Sequence, residues 1–299
     1  MDTPLGGTAV AAFAPLDVRR LLRDAGLRPR KSLGQNFLVH EGALARVAAA
    51  AGIRPEDTVL EIGAGVGSLT RHLAAQARRV VAVEIDPSFL PILQSVLAAR
   101  PNVSIVLGDI LALPLEKLLG AVEAGAFKVA ANIPYYITSA VIRRLVESAA
   151  RPRRIVLTVQ KEVADRICAA PGKMSLLALS VQYYGRPSIA GTIPADSFYP
   201  VPDVDSAIVR VDMDSAPDRE PESAARMFRI ARAGFSQKRK KLRNTLSAGL
   251  GEPVGRVEQR LGKAGVDPDR RPETVSVEEW VRIAEECRVD PNPLKYYLK

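Results

Sequence analysis

Residues 58–70 read TVLEIGAGVGSLT. A β-branched apolar run stops at Gly63, Gly65 and Gly67, and a helix-permissive segment (68–77) follows. Glycines here let the backbone turn sharply and approach a ligand closely, while the next helix presents its N-terminus. Alone, the stretch suits a dinucleotide, S-adenosylmethionine or a plain strand-to-helix turn. What repeats around it decides the fold. RVVAVEID (79–86), VSIVLGD (103–109), FKVAAN (127–132) and RIVLTVQ (154–160) are similar short apolar runs, and helix-permissive 88–99 and 139–149 lie among them. Strands alternating with helices predict an α/β fold with a doubly wound, mostly parallel sheet. PSIAGTIP (187–194) and SAIVRVDM (206–213) predict an antiparallel hairpin at its edge.

Outside the sheet, residues 17–25 predict a short helix, and Leu44, Val47, Ala48 and Ala51 fall at helical spacing. Residues 176–184 lean helical. Composition shifts at DSAPDREPES (214–223), after which the chain is helical, charged and strand-poor. The expected organisation is a basic N-terminal extension over 1–31, an α/β domain over 32–215 and a small all-α domain over 216–299.

The 299 residues carry 47% hydrophobic and 25% charged side chains, as a soluble globular protein does. An excess of 42 basic over 33 acidic residues, net +9, points to a polyanionic partner over a merely solvated basic surface. Cys168 and Cys287 lack CxxC context and read as free thiols in a reducing compartment. With only His40 and His72 beside them, no zinc site assembles, and no metal is expected. No signal peptide and no apolar run of membrane-spanning length is present, so a cytoplasmic protein without membrane contact is expected.

Polar residues close four consecutive strands. Gly63 ends the first; Glu84, 21 residues later, ends the second, where a carboxylate can accept both ribose hydroxyls. Asp109 ends the third, placed to accept from an adenine amino group, and Asn132 ends the fourth. One such residue would read as a turn former or cap. Four in register favour a nucleoside-containing cofactor. NAD would suit the glycine-to-acid spacing, but GxGxG differs from GxGxxG, and NAD leaves Asn132-Ile133-Pro134-Tyr135 unexplained.

A methyl donor explains that corner. An adenine amine is a weak nucleophile facing a strong electrophile, so the protein need only aim it and supply acceptors for its N–H groups. An Asn side-chain oxygen and a backbone carbonyl serve as acceptors, proline fixes the backbone, and Tyr135 offers a face to a flipped base. The blander reading is a proline-terminated strand with core tyrosines.

KSLGQNFL, VLEIGAGVGSLT, VVAVEID, LGDIL, NIPYYITS, LTVQKEVADRI and FYPVPDVDSAIV, in this order over roughly residues 30–245, resemble the rRNA adenine N6,N6-dimethyltransferase family. The resemblance implies a Rossmann-like methyltransferase sheet using S-adenosylmethionine and releasing S-adenosylhomocysteine. It implies cofactor contacts at Asn36, Leu38, Gly63, Gly65, Glu84, Ile85, Asp109, Ile110 and Asn132. Around the target adenine it implies Asn132, Pro134 through its carbonyl, Tyr135, and Phe198 stacking on the other side. Asp203 departs from the family, which usually carries a basic residue there, often Lys.

FSQKRKKLRNTL (235–246) is similar to the branch that dimethylates two adjacent adenosines of small-subunit (16S) rRNA. The alternatives are the macrolide-resistance branch, which modifies large-subunit rRNA, and a ribosome-assembly factor acting mainly by binding. From Arg226 to Arg243 there are eight basic residues and no acidic one. Phe228, Ala231, Phe235, Leu242 and Leu246 supply an apolar face at helical spacing, so the basic face is free to meet phosphates. Expected RNA contacts are Arg232, Lys238, Arg239, Lys240, Lys241 and Arg243, with Arg28, Arg30 and Lys31 as a second cluster. The partner implied is rRNA in a precursor of the small (30S) subunit, met by a monomer.

Overall fold

The computed structural model describes residues 13–30, 33–120, 125–213, 221–237 and 239–287. The chain divides into two compact units, Met1–Asp165 with Gly185–Ser215, and Arg166–Tyr184 with Ala216–Lys299. Residues 166–184, which the sequence pattern places in the α/β domain, therefore belong with the helical unit.

In the first unit, α1 (Val18–Asp24) leads through β1 (Phe37–Leu38) to α2 (Glu41–Ala51). Strands and helices then alternate: β2 (Thr58–Ile62), α3 (Ser68–Ala74), β3 (Arg79–Glu84), α4 (Leu90–Val96), β4 (Val103–Leu107), α5 (Leu115–Leu119) and β5 (Phe127–Asn132). After α6 (Thr138–Glu147) and β6 (Arg154–Gln160), α7 (Lys161–Ile167) runs across the boundary between the units at Asp165, and the first unit closes with β7 (Arg186–Ile193), β8 (Phe198–Tyr199) and β9 (Ser206–Asp212). The seven-stranded sheet has the order β4-β3-β2-β5-β6-β9-β7. Its first five strands are parallel, and β9 runs antiparallel to both β6 and β7, which makes the expected edge hairpin.

Parallel strands covered on both faces need continuous apolar runs rather than alternation. Every residue of β2 is accordingly buried, and β5 is buried up to Asn132. From β2 the chain proceeds through β3 to β4 on one side and through β5 to β6 on the other. This reversal opens a crevice at the carboxyl ends of β2 and β5. Ile62 is paired with Ala131, so the next residues, Gly63 and Asn132, flank that crevice.

Among the described residues, apolar clusters such as the following two hold the unit together. In one, Leu44, Val47, Ala48 and Ala51 of α2 pack with Val59, Ala130, Val156 and Ile208 of the sheet. His40 caps this helix, its Nδ1 accepting from the Ala43 N–H at 3.1 Å. In the other cluster, Val18 and Leu22 of α1 pack with Phe37, Val66, Phe89 and Leu93. The segment expected as a basic extension thus contributes a helix to this core. β1 and β8 pair antiparallel, Phe37 with Tyr199 and Leu38 with Phe198.

The second unit holds α8 (Leu176–Gln182), α9 (Pro221–Gly234), α10 (Leu242–Leu250), α11 (Val254–Lys263) and α12 (Val277–Glu286). The basic segment expected as one helical face is divided between α9 and α10. Gly234 lies under the Trp280 ring, which leaves no room for a Cβ. Phe235 packs on the same ring with centroids 5.5 Å apart. A capping box of Ser276 and Glu279 starts α12, and the Arg270 guanidinium clamps Glu279 at 2.6 Å.

Candidate cofactor and target-base site

A cavity of about 300 Å³ opens at the carboxyl ends of the strands. Its walls come from residues 33–38, 62–66, 83–85, 108–111 and 132–137, with Leu44, Ser68, Leu69 and Phe89. The fold therefore brings together Asn36, Leu38, Gly63, Gly65, Glu84, Ile85, Asp109, Ile110, Asn132, Pro134 and Tyr135.

The turn after β2 needs its glycines: Gly63, Gly65 and Gly67 have φ of +75, +56 and +83°. At Gly65 a Cβ would also stand 3.0 Å from the Phe37 ring. The Gly65 N–H donates to Glu84 Oε2 at 2.7 Å, and the Asp86 N–H donates to Oε1 at 2.9 Å. Glu84 thus fixes the glycine turn through Oε2 and the loop that follows β3 through Oε1. Glu84 also lines the cavity, and two carboxylate oxygens with about four lone-pair sites leave capacity for a ligand hydroxyl beside these backbone donors. Burial pushes the Glu84 carboxyl above its ordinary pKa, against the pull of the backbone N–H donors.

Beyond Glu84, Ile85 lines the cavity with 54% of its surface exposed, while Ile110 is buried. Asp109 lies exposed at the rim, its Oδ1 accepting from the Leu111 N–H at 2.8 Å. An open apolar wall beside a rim carboxylate suits a flat heterocycle with an amino edge.

At the end of β5, Asn132 Nδ2 donates to the Asn36 carbonyl at 3.0 Å. That bond orients the amide and leaves Oδ1 as an acceptor at the cavity. Asn36 belongs to a loop packed on the Asn132–Tyr136 corner. A Cβ at Gly34 (φ +58°) would come within 3.1 Å of Pro134 Cβ and 3.3 Å of the Tyr136 ring. Tyr135 begins a 3₁₀ turn over Tyr135–Ile137, and its hydroxyl shares a 2.7 Å hydrogen bond with Ser206 Oγ. Burial raises the Tyr135 pKa.

Phe198 departs from expectation. Its ring is 2% exposed in the cluster with Leu38, Leu44 and Ile193, and it is absent from the cavity wall. Pairing with Leu38 in the β1–β8 ladder turns it inward, so in this structure it offers no face to a base.

Residues that the sequence pattern does not single out complete the site. Gln35 Oε1 accepts the Arg30 N–H at 2.8 Å, and its Nε2 donates to Asp86 Oδ2 at 3.4 Å. Arg30 itself, expected to meet RNA, pairs with Asp86 at 3.4 Å. Asp86 and Pro87 after Glu84 form a cap-and-proline start signal, the one clue to this cluster that the sequence carries. Arg28 is exposed, and Lys31 lies outside the described residues.

On the second unit, Arg232, Arg239 and Lys240 are exposed, and Lys238 lies outside the described residues. Lys241 is paired with Asp269 at 2.9 Å, and Arg243 with Asp269 at 2.8 Å and Glu258 at 2.9 Å. The local sequence lacks acids, but acidic partners arrive from α11 and the loop beyond it.

The parallel half of the sheet has dinucleotide-fold order, but its antiparallel edge and the amide at the end of β5 make this a Rossmann-like methyltransferase. Solved structures agree. The 23S rRNA methyltransferase ErmE matches with a TM-score of 0.67 and 31% identity, covering 84% of this chain and 98% of its own. A dimethyladenosine transferase from Plasmodium falciparum shares the fold with a TM-score of 0.69 at 24% identity, over 81% and 94%. In sequence, a ribosomal RNA small subunit methyltransferase A from Dehalococcoides mccartyi is 43% identical over 93% of this chain and 95% of its own length. Its namesake from Moorella thermoacetica is 41% identical over 88% and 94%. The family model for ribosomal RNA adenine dimethylase matches residues 26–288, and the chain belongs to that family.

Proposed function

We propose that this protein dimethylates N6 of two adjacent adenosines in the 3′-terminal hairpin of small-subunit rRNA, using S-adenosylmethionine. The relatives at 41–43% identity are named for the small subunit. The partner is rRNA within a late small-subunit precursor, met by a monomer in the cytoplasm.

The observation that carries the chemistry is the commitment of Asn132 Nδ2 to Asn36, which leaves Oδ1 to face substrate. The cavity fits the donor: Glu84 for the ribose, Ile85 and Ile110 for the adenine ring, and Asp109 for its amino edge. Bound S-adenosylmethionine supplies an electrophilic methyl group. The chain's own work is to aim a weakly nucleophilic amine. Asn132 Oδ1 accepts one N6–H, which orients the nitrogen and offsets the positive charge that develops on it. The Pro134 carbonyl accepts the Ile137 N–H at 3.2 Å and keeps one lone pair for the second N6–H in the first transfer. In each transfer the C–S bond breaks as the N–C bond forms, and the methylated nitrogen loses one proton to solvent. Tyr135, anchored through Ser206, presents a ring to the base.

The test is methyl transfer to unmethylated small subunits and to large-subunit rRNA, read by primer extension. Stops at two adjacent adenosines of the small-subunit 3′ hairpin, absent with a folded Asn132→Ala variant, are expected. Stops in large-subunit rRNA instead, or transfer at the wild-type rate by Asn132→Ala, would overturn the proposal.

A further inference from the structure

We infer that Tyr136 is the stacking platform for the nucleobase adjacent to the adenosine held at Asn132. The inference rests on the proposed RNA methyltransferase function. Tyr135 and Tyr136 are successive residues of a 3₁₀ turn. With three residues per turn their side chains project about 120° apart, so the two rings do not sandwich one base. Tyr135 is turned inward and bonded to Ser206. Tyr136 is 66% exposed yet lines the same cavity, which places its ring at the rim.

That ring is also held. One edge lies against Gly34, where a Cβ would stand 3.3 Å from Cδ1 and Cε1. Gly34 has φ +58°, so the loop leaves space there that no other residue would leave without strain. Pro134, whose φ is fixed by its own ring, backs the same contact. A base drawn into the cavity leaves its strand neighbour unstacked at the mouth. An aromatic face fixed there takes up that neighbour regardless of its identity, because every base has a π-face. Such stacking is typically worth about 5- to 150-fold in affinity.

The experiment uses the full-length protein and a small-subunit rRNA hairpin, intact or with an abasic nucleotide on one side or the other of a target adenosine. Tyr136→Ala should raise the KM for the intact hairpin about tenfold or more while leaving the calorimetric affinity for S-adenosylmethionine within about twofold. Tyr136→Phe, which keeps the ring, should restore the KM. On the hairpin abasic at the stacked side, wild type should weaken as much as the alanine variant, and the variant should weaken no further. Effects that add for both abasic positions would overturn the inference, as would cofactor affinity falling in step with RNA affinity. No transfer by wild type to the intact hairpin would instead sink the proposed function beneath it.

Discussion

Asn132 shows how much a single amide can be asked to do. Its nitrogen donates to the Asn36 carbonyl, so a carboxylate of the same shape would set two acceptors against each other. Asn132→Asp should therefore cut transfer by more than about 100-fold, the scale of removing one preorganised polar group from the reacting centre. Circular dichroism should show the fold retained; an active aspartate variant would remove the amide from the mechanism. Glu61, in the middle of β2, answers to a different force. Burial, with Glu84 adding repulsion, pushes its carboxyl from 4.5 up to about 8. The folded state keeps a proton that the unfolded chain releases above pH 4.5, so this group's stability is present below 4.5 and lost as pH rises toward about 8. Glu61→Gln should flatten the fall in thermal midpoint between pH 5 and 8; parallel falls in both proteins would refute this. A residue's place in the cavity wall is legible in sequence where a strand end announces it, as at Glu84, Asp109 and Asn132. The inward turn of Phe198 is not legible, because a two-residue strand has no periodicity from which to read a buried face.

Among elements, the β2–α3 turn is the most demanding. Gly65 combines φ of +56° with a Phe37 ring 3.0 Å from where a Cβ would sit. Its N–H also holds Glu84. Gly65→Ala should lower stability by about 1–3 kcal/mol through backbone strain. It should also weaken S-adenosylmethionine binding measured by calorimetry; unchanged affinity would show that the turn is not part of the cofactor wall. β2, β3, β5 and β6 are legible because burial on both faces demands continuous Val, Ile, Leu and Ala, and the edge strand β4 is legible from its β-branched run although none of its residues is buried. The edge hairpin is legible from its β-branched runs. The break between α9 and α10 is not. FSQKRKK contains no proline or glycine, and the close packing of Gly234, the last residue of α9, against Trp280 depends on a residue far along the chain. Likewise, the helical lean of 176–184 gives no sign that this stretch joins the second unit. There Phe228 packs on Tyr183 and Tyr184 with centroids 5.3 and 5.9 Å apart.

For the whole molecule, the net charge of +9 marks an electrostatic partner, but only part of it is available. Arg232, Arg239 and Lys240 are exposed, whereas Lys241 is already paired with Asp269. Replacing the first three with Gln should reduce the slope of log affinity for rRNA against log salt by about 2–3, at roughly 0.7–0.9 for each phosphate no longer neutralised. Lys241→Gln should change it far less; equal effects would mean that the Asp269 pair opens on binding. Finally, β1 is made early in synthesis, while its partner β8 emerges only after most of the sheet strands. Residues 33–38 form one wall of the cavity, and the ladder to Phe198 and Tyr199 holds that wall down. A nascent chain stopped before β8 would have its glycine turn and most of its sheet but a loose cofactor wall. A chain truncated before β8 should therefore bind S-adenosylmethionine more weakly than the full chain in calorimetry, and equal affinity would show that this two-rung ladder is not what holds the wall.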